Sequence, residues 1–92
     1  MLSNLPTDLN KVKKEDRDNE ILRVGIIAEL DAVNLYEQMA AASDSEIIKK
    51  TLLEIAKEEK THIGELQALL LERDKEYVKE LESGKKEIEE FK

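Results

Sequence analysis

Two segments of the chain carry apolar residues in alternating steps of four and three, the spacing of a helix that buries one face. The first stripe is Leu22, Ile26, Glu29, Val33, Tyr36 and Ala40. The second is Ile48, Leu52, Ile55, Glu59, His62, Leu66 and Leu69. Only the polar residues 43–45 separate the two helices, so the pattern predicts an antiparallel hairpin.

The composition is that of an all-α bundle. Of the 92 residues, 40% are charged, 40% are apolar and 3% are aromatic, with a single proline. Strands would need more alternation of β-branched and aromatic residues than the sequence contains. A domain this small often depends on a metal, a disulfide or oligomerisation. Because the chain has no cysteine, a metal or oligomerisation is the remaining means.

Capping residues and breaks predict the helix boundaries. We expect helix 1 from about Asp16 or Asp18 to about Ala42, helix 2 from a cap among residues 43–45 to about Arg73, and a short third helix, capped by Asp74, from Lys75 to Glu82. Ser83 and Gly84 are expected to interrupt that third helix. The predicted organisation is an N-terminal arm over residues 1–15, the hairpin and third helix over 16–82, and a charged tail over 83–92. A short helix is expected to begin in the arm near Thr7 or Asp8.

Helix 1 has a second apolar track that one partner helix cannot cover. Its members are Val24, Ile27, Leu30, Leu35 and Met39. Helix 1 is therefore expected to be buried on more than one side. Gly25 lowers helix propensity and indicates a close approach of another helix.

The polar residues within the two stripes are candidate metal ligands. Glu59 and His62 are three residues apart, so they share one helix face. Glu29 lies about 15 residues before the turn and Glu59 about 15 after it, which places both roughly 22 Å from the turn. Di-iron carboxylate bundles take one Glu from each of two helices and a Glu-x-x-His from each of two others. One chain supplies half of that set, so we expect a two-fold dimer to complete it around iron or manganese.

Each residue also has a simpler interpretation. With so many glutamates in the chain, a Glu three residues before the single His is weak evidence by itself. His62 alone would more often be a hydrogen-bonded core residue, and Glu29 an ordinary buried carboxylate. Glu58 faces away from the stripe, and Tyr36 fits the core. The metal interpretation depends on matched heights and matched ligand types together.

Several functions are disfavoured by the sequence. The net charge of −7, without a basic stripe, argues against nucleic acid binding. No apolar run approaches the length of a membrane span, and residues 1–10 lack the pattern of a secretory signal. We therefore expect a cytoplasmic location.

The segments Ala28–Glu37 and Glu58–His62 resemble the encapsulated ferritins, half-length ferritin-like proteins that are cargo of encapsulin nanocompartments or are fused ahead of the shell protein. The likeness covers about residues 20–85. It implies that Glu29, Glu59 and His62 match the ferroxidase ligands of a di-iron centre shared by two subunits. It also implies that Tyr36 lies close to those ligands and that Asp31 retains one acidic position on the route by which iron enters.

The resemblance further implies a homodimer as the minimal unit, a ring-shaped decamer, an encapsulin shell partner and a role in iron storage. Ala28 and Leu35 depart from the acidic residue and the Trp that the family often has on the iron route. The chain also lacks a Gly-Ser-Leu-type cargo tail, which favours fusion to the shell. Two alternatives stay open: a rubrerythrin-like peroxidase, and a non-enzymatic helical dimerisation or docking module.

Overall fold

The computed structural model describes residues 8–92, and all regular structure in that range is helical. Short 3-10 turns at Leu9–Lys11 and Lys14–Asp16 precede three α-helices: α1 (Arg17–Ala42), α2 (Glu46–Arg73) and α3 (Lys75–Glu90). The predicted all-α class is confirmed, and α1 and α2 begin and end within two residues of their predicted limits.

Helices α1 and α2 form an antiparallel hairpin around a small core. Its buried apolar side chains among the described residues are Val33, Ala40, Ala56 and Leu70. The predicted stripe on α2 lies across the edge of this interface rather than at its centre, because Ile48, His62 and Leu69 are all about half exposed. A single hairpin covers only one side of each helix, so the rest of each apolar surface is left open.

Local hydrogen bonds fix the ends of the helices. The Ser45 hydroxyl accepts a hydrogen bond from the backbone N–H of Ile48 at 3.3 Å, so Ser45 caps α2. The Asp74 carboxylate accepts one from the N–H of Tyr77 at 3.0 Å and caps α3, as predicted. Such caps satisfy N–H groups that have no partner inside the helix.

The third helix is longer than predicted. It continues through Ser83 and Gly84 to Glu90, instead of ending at Glu82. The predicted interruption at Ser83 and Gly84 is therefore wrong, whereas the division into hairpin and charged tail stays a prediction. The flanking residues 85–90 are mainly Lys and Glu, which favour helix strongly enough to offset one glycine.

Helix α3 stands away from the hairpin. It buries none of its side chains fully, and the described residues extend over 46 × 41 × 20 Å. A two-helix hairpin alone would measure no more than about 20 Å in either of its two shorter directions. The second long dimension therefore comes from α3.

The N-terminal arm is described only in part. The Asp8 carboxylate accepts a hydrogen bond from the N–H of Asn10 and caps the first 3-10 turn, in agreement with the predicted short helix near Asp8. The alternative cap Thr7 lies outside the described residues.

Candidate metal centre

The structure brings Glu29, Glu59 and His62 together. Glu29 projects from α1, whereas Glu59 and His62 project from one face of α2. His62 Nδ1 lies 3.4 Å from Glu29 Oε2 and 3.4 Å from Glu59 Oε2. One ligand-type atom from each residue lies within 4.8 Å of the other two. The equal heights predicted from the sequence are thus realised across the hairpin.

The three side chains differ in exposure. The Glu59 and Glu29 side chains are 19% and 26% exposed, and that of His62 is 49% exposed. The cluster therefore lies at the edge of the hairpin interface, with the imidazole on its open side. A second molecule could approach it there.

One atom of this cluster is buried without a hydrogen bond. Glu29 Oε2 is inaccessible to solvent and has no hydrogen-bond partner among the described residues. Its 3.4 Å separation from His62 Nδ1 exceeds the usual 2.7–3.2 Å of an N–H···O bond. A buried carboxylate oxygen in this state costs free energy unless something else satisfies it.

A metal ion fits this donor set. Two carboxylates and one imidazole suit iron or manganese, and ligand atoms roughly 2.1 Å from one ion are themselves separated by about 3.0–3.4 Å. The observed 3.4 Å separations are therefore compatible with a shared ion. The three residues therefore form a candidate site for one metal ion.

Two other predicted residues do not join the cluster. Tyr36 and Asp31 are half-buried on α1, and neither contributes an atom to the group of three. Glu58 is exposed, as the sequence predicted from its position off the stripe.

One pair of residues beside the site was not anticipated as a pair. Lys60 Nζ donates a hydrogen bond to Glu37 Oε2 at 3.2 Å and joins α2 to α1. Both side chains are about half exposed. The only feature of the sequence that points to this pair is position, because each residue directly follows a stripe residue. Glu37 follows Tyr36, and Lys60 follows Glu59.

A helical hairpin that directs one Glu and one Glu-x-x-His toward a single point matches half of the ligand set of a ferritin-like four-helix metal site. The rubrerythrin family model matches residues 20–92. The chain is 52% identical to the chain in a crystal structure of the encapsulated ferritin domain from Pyrococcus furiosus, with a TM-score of 0.83 over 98% of this chain and 94% of that one. We therefore assign the chain to the rubrerythrin family, among its encapsulated ferritin domains.

One relative is a longer protein than this chain. The chain is 53% identical, over 99% of its length, to a ferritin-like–encapsulin shell fusion protein of Pyrococcus furiosus. It spans only 27% of that relative's length. The described part of the chain contains no helix long and apolar enough to cross a membrane.

Proposed function

We propose that this protein is a ferroxidase, which oxidises Fe(II) to Fe(III) at a di-iron site formed between two subunits. The observation that carries the proposal is the convergence of Glu29, Glu59 and His62, including a buried carboxylate oxygen without a hydrogen bond. Membership of an iron-binding family supports the choice of iron.

The exposed apolar surface of α1 supports dimerisation. Ile27, Leu30 and Met39 are 42%, 51% and 38% exposed in the single chain, and all three belong to the second apolar track predicted from the sequence. Leu30 and Met39 are nine residues apart and therefore lie on opposite sides of α1, so more than one neighbouring hairpin is needed to bury the track. One of these hairpins would cover the open side of His62. It would also double the ligand set to four carboxylates and two imidazoles.

Each residue has a distinct part in the proposed site. The Glu29 and Glu59 carboxylates offset the charge of the bound cations, and His62 supplies a neutral nitrogen ligand. The site orients two Fe(II) ions, which are the substrate, toward O₂. O₂ accepts one electron from each Fe(II) together with two protons, and it leaves as H₂O₂. We further propose that the Tyr36 hydroxyl steadies a ligand carboxylate and that Asp31 lies on the route of incoming Fe(II).

The shell relative supports the proposed setting. We propose that dimers assemble into a ring-shaped decamer inside an encapsulin nanocompartment in the cytoplasm, where the ferric product is mineralised and stored. Fusion to an encapsulin in the Pyrococcus furiosus relative supports that association.

The ferroxidase proposal is tested by removing ligands one at a time. Glu59→Ala and His62→Ala should each reduce Fe(II) oxidation to the uncatalysed rate, since each removes a ligand from both halves of the site. Ferric absorbance after Fe(II) addition measures the rate. Glu58→Ala is the matched control, because Glu58 is exposed and adjacent to Glu59; it should keep the full rate. Unchanged rates in both ligand variants would defeat the assignment.

The family match also favours a second candidate, a rubrerythrin-like peroxidase. Such an enzyme would reduce H₂O₂ at the same site and would take its electrons from a separate donor. Stopped-flow oxidation of the Fe(II)-loaded protein by O₂ and by H₂O₂ distinguishes the two. Faster oxidation by O₂ supports the ferroxidase, whereas oxidation by H₂O₂ alone supports the peroxidase.

A further inference from the structure

Gly25 stands out among the glycines because another side chain occupies the space next to it. A Cβ atom placed on Gly25 would lie 3.1 Å from Leu66 Cδ1 and 3.8 Å from Leu66 Cδ2. The same atom placed on Gly64 or Gly84 would meet nothing within 4 Å. Leu66 therefore fills the volume that any larger residue at position 25 would need.

Backbone conformation does not explain why position 25 is a glycine. None of the glycines has a positive φ angle, and Gly25 lies well inside α1. Glycine is a poor helix former, so the backbone of α1 would favour alanine there. The close approach of Leu66 is the feature of the structure that favours glycine.

The contact lies one helical turn from the candidate metal centre. Gly25 precedes Glu29 by four residues on α1, and Leu66 follows His62 by four residues on α2. Residues four apart lie on the same face of a helix. The Gly25–Leu66 contact therefore sets the separation of α1 and α2 next to the point where Glu29 and His62 approach to 3.4 Å.

A small change of helix separation matters more to a metal site than to an apolar contact. A contact of 3.1 Å requires the neighbour to move by a few tenths of an ångström. Metal–ligand distances are fixed to within about 0.2 Å, whereas apolar side chains can adjust to such shifts.

We propose that Gly25 is a positioning residue for the metal centre: its missing side chain lets Leu66 pack against α1, which holds Glu29 and His62 at the separation that a shared ion requires. This inference rests on the proposed metal-binding function. It assigns to Gly25 no contact with the metal itself.

The test compares matched glycine substitutions by anaerobic titration with Co(II), followed through the visible absorption of the bound ion. Gly25→Ala should weaken Co(II) binding about 10-fold, the effect of losing a group that orients a ligand, and should change the absorption of the bound ion. Gly64→Ala makes the same chemical change on an open surface beside the site. It should leave both affinity and spectrum unchanged.

A second substitution distinguishes a steric clash with Leu66 from a general loss of stability in Gly25→Ala. Leu66→Val removes both Cδ atoms that a Cβ at position 25 would meet. The double variant Gly25→Ala/Leu66→Val should recover Co(II) affinity to within about twofold of the original chain. Should Gly25→Ala fail to fold, the double variant alone decides: recovery supports the proposal, and weak binding by a folded double variant contradicts it.

The remaining outcomes distinguish failure of the Gly25 proposal from failure of the proposed metal-binding function. If the original chain binds Co(II) and Gly25→Ala binds it equally well with the same spectrum, Leu66 has moved aside and the proposal is wrong while the metal site stands. If the original chain binds no Co(II), both the site and this inference fail.

Discussion

Glu29 combines a structural cost with a proposed function. Its Oε2 atom is buried without a hydrogen-bond partner among the described residues, which is unfavourable in the metal-free protein. Evolved sites often retain such groups because function needs them. A bound cation would remove the cost by supplying the missing partner.

Glu29→Gln should therefore separate stability from function. Without metal, its free energy of unfolding should rise by about 1 kcal/mol, since a neutral amide costs less to bury than an unpaired carboxylate and can hydrogen-bond to His62. Metal binding should be lost at the same time. Guanidinium unfolding followed by circular dichroism measures the first effect, and Co(II) titration the second.

The control for this prediction is Glu58→Gln, which makes the same change at an exposed position. It should alter neither unfolding nor metal binding. A Glu29→Gln protein that is less stable without metal would mean that Glu29 already has a stabilising partner, contrary to our account.

At the scale of single residues, the sequence identified the three candidate ligands but not their distances. Helical spacing placed Glu59 and His62 on one face, and equal heights placed Glu29 opposite. Spacing alone does not reveal that Leu66 packs over Gly25, although the glycine itself indicated a close approach. Predicting this contact requires the register of the two helices and the volumes of the side chains that face each other.

Among the elements, the junction between α2 and α3 depends on Asp74. Its carboxylate caps α3 at Tyr77 N–H and lies 3.7 Å from Arg23 Nη1 of α1. The same residue thus starts α3 and links it to the first helix.

Asp74→Ala should lower the free energy of unfolding by about 1.5 kcal/mol, because both the cap and the ion pair with Arg23 are lost. Asp74→Ser keeps a capping oxygen but loses the charge, so it should cost only about 0.5 kcal/mol, the typical contribution of a partly exposed ion pair. Urea unfolding of the two variants measures the difference. Equal destabilisation by Ala and Ser would show that the ion pair, and not the cap, stabilises the junction.

The helix boundaries show where local sequence is informative. Caps and apolar periodicity located both ends of the hairpin, whereas the Ser83–Gly84 pair wrongly predicted a break. A glycine costs only about 1 kcal/mol in a helix, and the Lys- and Glu-rich residues after it favour helix. Residues with weak propensities end a helix only where the flanking sequence does not support its continuation.

On the scale of the whole molecule, the hairpin is an incomplete structure. Its apolar track on α1 is exposed at Ile27, Leu30 and Met39, and its candidate metal ligands match half of a four-helix set. The sequence predicted that α1 must be buried on more than one side, but one chain does not show what covers it. In the proposed dimer, a second copy covers the side that carries His62 and completes the ligand set.

Leu69→Glu provides a control for this central claim. Leu69 is 50% exposed and lies two helical turns from His62 on the same face of α2, so a charge there should oppose dimerisation over the metal centre without disturbing the buried core of the hairpin. The variant should remain helical and monomeric.

Native mass spectrometry during anaerobic Fe(II) titration tests the account most directly, because it reports subunit number and iron count together. We predict two iron ions in each pair of subunits, with Leu69→Glu giving a monomer that binds no iron pair. A monomer of the original chain that binds iron by itself, or a dimer that binds none, would contradict the account.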